Sequence, residues 1–279
     1  MKQLKKLRNC SAICLLLFIT ACNNENKPAE PVHTDTKDAV SIPATISWDI
    51  VREYPHDPGA FTEGLEYADG FLYESTGQYG HSDIRKTDLK TGKVLLQTKM
   101  EARYFGEGST LLNGKIYQLT YREGKGFIYD AATLKQTGTF HFDAVEGWGM
   151  FNNGSSLIFD DGTNVFHFID PNTFKEIKKL TVTDEHGPVN EINEPELING
   201  FIYANQWQTE KILKIDTATG RVVGRADLSG IRQRIGIPAL SGRQGTPDVM
   251  NGIAWDKAGN RIFITGKNWP KVLEVKLDN

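Results

Sequence analysis

Short apolar runs recur along this chain every forty-odd residues, and each starts at a glycine turn. The turn glycines are Gly70, Gly114, Gly154, Gly200 and Gly259, at steps of 44, 40, 46 and 59 residues. Each follows a small or polar residue (Asp69, Asn113, Asn153, Asn199, Ala258) and opens a run with β character: FLYES, KIYQLT, SSLIFD, FIYANQ and RIFITG. Asn-Gly and Asp-Gly between two apolar runs favour a tight hairpin, because both positions tolerate positive φ. The strand feeding each turn is read from FTEGLEYADG, FGEGSTLLNG, EGWGMFNNG, NEPELING and MNGIAWDKAG. A third run ends in a turn of its own, as in IRKTDLKTGKV, FIYDAATLKQ, FHFIDPNTFKE and ILKIDTATGRV, and a fourth follows as VLLQTKM, QTGTFHF, EIKKLTV and VVGRADL.

A repeat of this length built from hairpins is the signature of β-propeller blades. The chain is predicted to be all-β, a five-bladed β-propeller over residues 45–279. The fifth repeat stops after its third strand, at VLEVKLDN. The last blade is therefore predicted to be closed by the N-terminal strand 46–55, ISWDIVREYP, which ties the ends together and removes exposed sheet edges. The long step before Gly259 holds SGIRQRIGIPALSGRQGTP, rich in Gly, Pro and Arg, which reads as a loop over one face.

Register then selects candidate residues. Seven positions before the turn glycines stand Glu63, Glu107, Gly147, Asn193 and Gly252; seven after stand Gly77, Tyr121, Asp161, Trp207 and Gly266. These positions share one end of the blades, with Trp148 and Lys267 one residue further on. Carboxylates, aromatics, an amide and an amine converging on a channel mouth make a small-ligand site. Glu107, in YFGEGST, is flanked by glycines that permit close backbone approach. Asp161, followed by Gly162, reads better as a turn or capping residue than as a ligand contact.

The start of the chain changes the picture. Lys2, Lys5, Lys6 and Arg8 precede the apolar stretch CSAICLLLFITA, too short to span a bilayer, and Ile19-Thr20-Ala21-Cys22 has a lipobox pattern. Residues 1–22 are read as a lipoprotein signal peptide with Cys22 lipidated, and 23–44 as a flexible polar tether. The expected location is a bacterial cell envelope, on the outer side of the inner membrane or in the outer membrane, with membrane contact through the lipid anchor alone. Without the leader, 28 basic residues face 35 acidic ones, a net charge of −7, and no basic patch interleaved with aromatics points to nucleic acid. All three cysteines lie at or before Cys22, so the domain has no thiol nucleophile and no disulfide. The six histidines show no metal-ligand spacing, and there is no G-x-S-x-G elbow or P-loop.

FTEGL at 61–65, YFGEGSTLLNGKIYQLTYREGKGFIYD at 104–130, EGWGM at 146–150, NEINEPELINGFIYANQWQTEKILKID at 191–216, and NGIAWD with ITGKNWP near the end resemble the glutamine cyclotransferases of the plant and bacterial type. The resemblance runs over residues 45–277. It implies a five-bladed propeller that converts N-terminal glutaminyl residues to pyroglutamate with release of ammonia, with no cofactor and no metal. It further implies Glu107 as proton shuttle, with Trp148, Asn193, Trp207 and Lys267 at the substrate. Phe61, Glu63, Phe105 and Tyr121 complete the expected substrate-binding set. Glu63 and Tyr121 stand where the family often has Gln and Trp. The expected partners are peptides or proteins beginning with Gln, met by a monomer.

The residues agree with such chemistry. One carboxyl group can take a proton from the attacking amine and return it to the leaving nitrogen. Glu63 is expected to raise the pKa of Glu107 by like-charge repulsion, and Asn193 and Lys267 to stabilise a developing oxyanion. The alternatives are a propeller that binds peptide or sugar without chemistry, or a propeller hydrolase such as a calcium lactonase or a glycosidase using Glu63 and Glu107.

Overall fold

The computed structural model describes residues 42–238 and 248–278. The leader, Cys22 and the tether up to residue 41 lie outside the described residues. The domain is all-β, and its only helix among the described residues is the single turn Ile231–Arg234. That helix is too short to cross a membrane, as TM-length helices are absent from the described residues.

Three antiparallel sheets have four strands each, in chain order: Thr62–Ala68 to Val94–Lys99, Gly106–Leu112 to Gln136–His141, and Met150–Asn152 to Glu176–Thr181. A two-stranded ribbon pairs Thr183–Asp184 with Gly187–Pro188, and an eight-stranded sheet holds the rest. In it the meander from Ile192–Ile198 to Val222–Asp227 and the meander Met250–Asp256, Arg261–Gly266, Lys271–Asp278 are joined through Ala44–Pro55. That joining strand pairs antiparallel with the last strand from Ser47↔Asp278 to Pro55↔Lys271, as the truncated fifth repeat requires. It also pairs in parallel with Val222–Asp227 over Ala44–Ile46, so it starts one residue inside the expected tether and stitches two meanders together.

The first strand of every meander packs against the first strand of the next. Thr62–Ala68 contacts Gly106–Leu112, and the series continues through Met150–Asn152, Ile192–Ile198 and Met250–Asp256 back to Thr62–Ala68. Burial follows this order. Innermost Gly106–Leu112 is almost wholly buried, whereas fourth strand Val94–Lys99 alternates half-buried and exposed positions. Apolar side chains from facing sheets fill each gap. Tyr73, Ile84, Ile116 and Phe127 pack between the first and second sheets, and Phe151, Phe166, Ile192 and Ile202 between the third sheet and the next meander. Each such side chain stabilises the fold by roughly 1.5–3 kcal/mol when fully buried.

Three of the five predicted turns are two-residue hairpins with both residues at positive φ: Asp69-Gly70, Asn113-Gly114 and Asn199-Gly200. The other two are longer. In the third meander Asn152 pairs with Leu157, and the Asn153 carboxamide oxygen accepts the amides of Ser155 and Ser156. In the fifth, Asp256 pairs with Arg261 and the positive φ falls on Asn260, not on Gly259. The third-strand turns share one device: Asp88, Asp130, Asp170 and Asp216 each accept the amide of a threonine three residues on. Within the Gly- and Pro-rich insertion, residues 229–238 depart from the expected surface loop, because Ile231 and Ile235 bury themselves in the core beside Met250 and Trp269; residues 239–247 lie outside the described residues.

Candidate functional site

The first strands do not pair regularly along their whole length. Their ladders slip between Thr62 and Gly64, between Gly106 and Ser109, between Asn193 and Glu196, and between Met250 and Ile253. Such bulges bend a strand and re-aim one side chain. The residues at the slips are Glu63, Glu107-Gly108, Glu194-Pro195 and Asn251-Gly252. Gly108 is needed for close approach: a Cβ there would sit 2.3 Å from the Trp148 carbonyl oxygen, which the Gly108 amide meets at 2.8 Å.

At this end of the channel lies a cavity of about 200 Å³ lined by Phe61, Glu63, Phe105, Glu107, Tyr121, Trp148, Asn193, Trp207 and Lys267. All nine residues expected at a site from the sequence therefore meet around one space. Asp161 does not join them. Its carboxylate accepts the Thr163 amide and hydroxyl and faces His167 Nε2 at 3.3 Å, so it caps a turn. Its neighbour Asp160, the last residue of the wholly buried strand Leu157–Asp160, is the buried one.

The walls are aromatic. Phe105 lies 6.2 Å from Phe61 edge to face and 5.7 Å from Tyr121. Trp148 and Trp207 meet at 5.2 Å and 70°. The floor is polar. Lys267 Nζ lies 2.6 Å from Glu63 Oε1 and 4.7 Å above the Phe61 ring, while Asn251 Nδ2 donates to Glu63 Oε2 at 3.1 Å and to the Thr62 carbonyl at 2.8 Å. Since Asn251 donates to two acceptors, its Oδ1 must receive, and Asn193 Nδ2 donates to it at 2.9 Å. Asn193 Oδ1 is left buried with no partner.

These contacts correct two expectations. The Lys267 ammonium is held in an ion pair with Glu63, and is not a free cation awaiting an oxyanion. Asn193 spends its amide donor on Asn251 Oδ1, which leaves an unpartnered carbonyl oxygen rather than a free donor.

Glu107 is different again. Its carbonyl accepts the Ser75 hydroxyl, backed by Gln118, whose Nε2 donates to Ser75 Oγ at 2.7 Å and whose Oε1 accepts the Tyr129 hydroxyl at 3.0 Å. Its carboxyl has no hydrogen-bond partner among the described residues. Burial pushes the Glu107 carboxyl well above the usual carboxylate range; the charge of Glu63 adds to this and Lys267 opposes it. The expected like-charge repulsion is thus present but second to desolvation. Burial also raises Glu63, against the pull of Lys267 and Asn251.

Sequence reasoning missed Asn251, Asp160 and Glu194. Glu194 is 4% exposed with an unpartnered Oε1, and burial pushes it up to about 8. Asn251 had a signal, since it precedes Gly252 in N-G-I-A-W as Glu63 precedes Gly64. Among the described residues no group of three His, Cys, Asp or Glu side chains is gathered as a cation site.

Comparison with known proteins bears on this arrangement. The sequence pattern of the glutamine cyclotransferase family matches residues 17–277. A glutaminyl-peptide cyclotransferase from Arabidopsis thaliana is 42% identical over 230 residues, covering 82% of this chain and 71% of the plant protein. The crystal structure of Myxococcus xanthus glutaminyl cyclase superposes with a TM-score of 0.76 at 34% identity, over 85% of this chain and 98% of that one.

Proposed function

This chain belongs to the glutamine cyclotransferase family, and we propose that it closes N-terminal glutaminyl residues to pyroglutamate with Glu107 carrying the proton. One observation carries the reading: a buried glutamate opens on the aromatic cavity with no protein partner for its carboxyl. The closed circuit of five first strands supports a five-bladed propeller, counted with the eight-stranded sheet as two blades sharing Ala44–Pro55.

In the reaction the substrate's α-amine nitrogen attacks the carbon of its own γ-amide, and a five-membered ring forms. Glu107 takes the proton that the amine loses and gives it to the amide nitrogen, which leaves as ammonia. No proton is gained or lost overall. Burial raises the carboxyl above the ordinary carboxylate range, which favours its holding the proton between the two nitrogens. The aromatic walls hold the glutaminyl side chain folded, so the reacting atoms meet at high effective concentration. Asn193 Oδ1 accepts an N–H of the substrate, and Asn251 with Lys267 keeps Glu63 from competing for the amine.

The direct test is incubation of the purified domain with Gln-initiated peptides, following ammonia release and loss of one ammonia mass from the peptide. No ammonia, with the protein folded, overturns the proposal. The mechanism routes no step through a metal, so turnover persists in chelator; loss of activity in EDTA restored by zinc overturns that part. The reading of the leader extends the proposal to a lipid on Cys22. Metabolic labelling with palmitate is expected in the parent and absent from Cys22→Ser.

A further inference from the structure

The aromatic walls need something to hold them. Trp148 and Tyr121 lie on different meanders, and neither ring is fully buried. Between them stands Glu146, in the loop that leads to Trp148. Its Oε2 accepts the indole Nε1–H of Trp148 at 3.0 Å. Its Oε1 accepts Arg122 Nε at 2.9 Å and Arg122 Nη2 at 2.6 Å. The same Nη2 donates to the Tyr121 hydroxyl at 3.0 Å, and the guanidinium lies 4.5 Å over the Tyr121 ring.

The backbone fixes the ends of this chain of contacts. The Gly147 amide donates to the Tyr121 carbonyl at 2.7 Å, and the Trp148 carbonyl accepts the Gly108 amide, next to Glu107. Behind the indole the space is shaped by Gly162, where a Cβ would stand 2.6 Å from Trp148 Cε2. The indole fills space on that side that exists only because Gly162 has no side chain. Burial acts to raise the Glu146 carboxyl, but hydrogen bonds from Arg122, Trp148 and Tyr121 outweigh it and hold the group below its ordinary value.

We infer that Glu146 is a positioning residue for cyclisation: with Arg122 it clamps the Trp148 and Tyr121 walls at the spacing that receives a glutaminyl side chain. The inference rests on the cyclotransferase reading above. The walls touch bound substrate before and during reaction alike, so loosening them weakens binding uniformly and raises KM more than it lowers kcat.

The experiment compares the parent with Glu146→Ala, Glu146→Gln and Arg122→Ala, in steady-state cyclisation and in acrylamide quenching of tryptophan fluorescence. A Trp148→Phe control identifies the share of emission due to Trp148. Removing a charge-assisted hydrogen bond is expected to raise KM about tenfold in Glu146→Ala, with kcat within about threefold of the parent. Glu146→Gln, whose amide oxygen still accepts the indole N–H, recovers most of that loss. Arg122→Ala, at an exposed position, falls between the two. Parental KM in Glu146→Ala, or a fall in kcat at constant KM, overturns the clamp. If Glu146→Ala does not fold, Arg122→Ala decides, and a parental KM there overturns it. If the parent itself does not turn over, the functional reading fails and quenching alone judges the clamp: increased access to Trp148 in the variants supports it, and unchanged access overturns it.

Discussion

Glu63 and Glu107 occupy matching places on adjacent first strands. Each is buried at a slip in the ladder, and each is followed by a glycine. Their surroundings are opposite. On the Glu63 wall the protein supplies the partners, with Lys267 on one oxygen and Asn251 on the other. On the Glu107 wall the protein grips the backbone through Ser75, Gln118 and Tyr129 and leaves the carboxyl bare toward the cavity. Burial alone raises both groups, so burial does not distinguish a structural glutamate from a reactive one. The distinction lies in whether the second partner is the protein or the substrate.

The sharpest way to break this comparison is Glu107→Gln. The amide keeps the size of the side chain but cannot exchange a proton. General acid–base catalysis contributes about 10²–10⁴ in rate, so kcat is expected to fall by that factor while peptide binding changes far less. Near-parental kcat in this variant, with Glu63→Gln inactive, would show that the acid sits on the other wall.

The next effect is on stability. Lys267→Met removes the cation from a glutamate that is 2% exposed. Breaking a buried pair from one side is expected to cost about 3–5 kcal/mol, read from denaturant unfolding. Adding Glu63→Gln to Lys267→Met removes the stranded charge and restores a large part of the loss. Two losses that simply add would mean that the residues do not interact in the folded protein.

Glu63→Gln alone separates electrostatics from chemistry. Turnover is expected to stay within about tenfold of the parent, at most about 1.4 kcal/mol. The charge of Glu63 raises Glu107, and the freed charge of Lys267 lowers it. Both changes favour the ionised carboxylate, so the acid limb of the kcat/KM profile moves to lower pH. A limb that does not move means that Glu63 carries no charge in the parent.

Much of this contrast was legible in the sequence, and its limits have a physical cause. Hydrophobic alternation and the Asp-Gly and Asn-Gly turns locate the strands, because turn chemistry is local. Counting from each turn measures distance along a strand, which is why seven of the nine cavity residues could be found by register; Phe61 and Phe105 came only with the family resemblance. The direction in which a side chain faces could not be counted through a bulge that adds a residue. Asn251 and Glu194 were lost there. The pairing of Lys267 with Glu63 joins positions 204 residues apart, beyond any local signal. The parallel contact of Ala44–Ile46 with Gly224–Ala226 is likewise out of reach of any local signal.

The smallest expected effect lies away from the cavity, where the first and last meanders meet, and it sharpens the comparison by showing a buried glutamate with a titratable partner. His56 is 8% exposed; its Nδ1 lies 2.6 Å from the Trp269 carbonyl and its Nε2 3.0 Å from Glu74 Oε1. Both neighbours are acceptors, so both ring nitrogens must donate and the imidazole is held as a cation. Burial acts to lower His56, but the charge and hydrogen bond of Glu74 raise it more; burial acts to raise Glu74, and His56 lowers it more. The raised histidine gives stability that is complete below its unfolded pKa of about 6.5 and is lost as pH rises through its folded pKa. The lowered glutamate gives stability present above its unfolded value and lost as pH falls through its folded one. The pair therefore contributes most in the window between them. The parent's unfolding free energy is expected to decline above about pH 6.5, with a slope from this group of no more than about 1.4 kcal/mol per pH unit. His167, also raised by its acidic neighbours, adds its own decline to both proteins. The informative quantity is thus the difference between the parent and His56→Gln, measured by denaturant unfolding across the pH range. That difference shrinks as pH rises if His56 is charged in the folded protein, and a constant difference means that it is not.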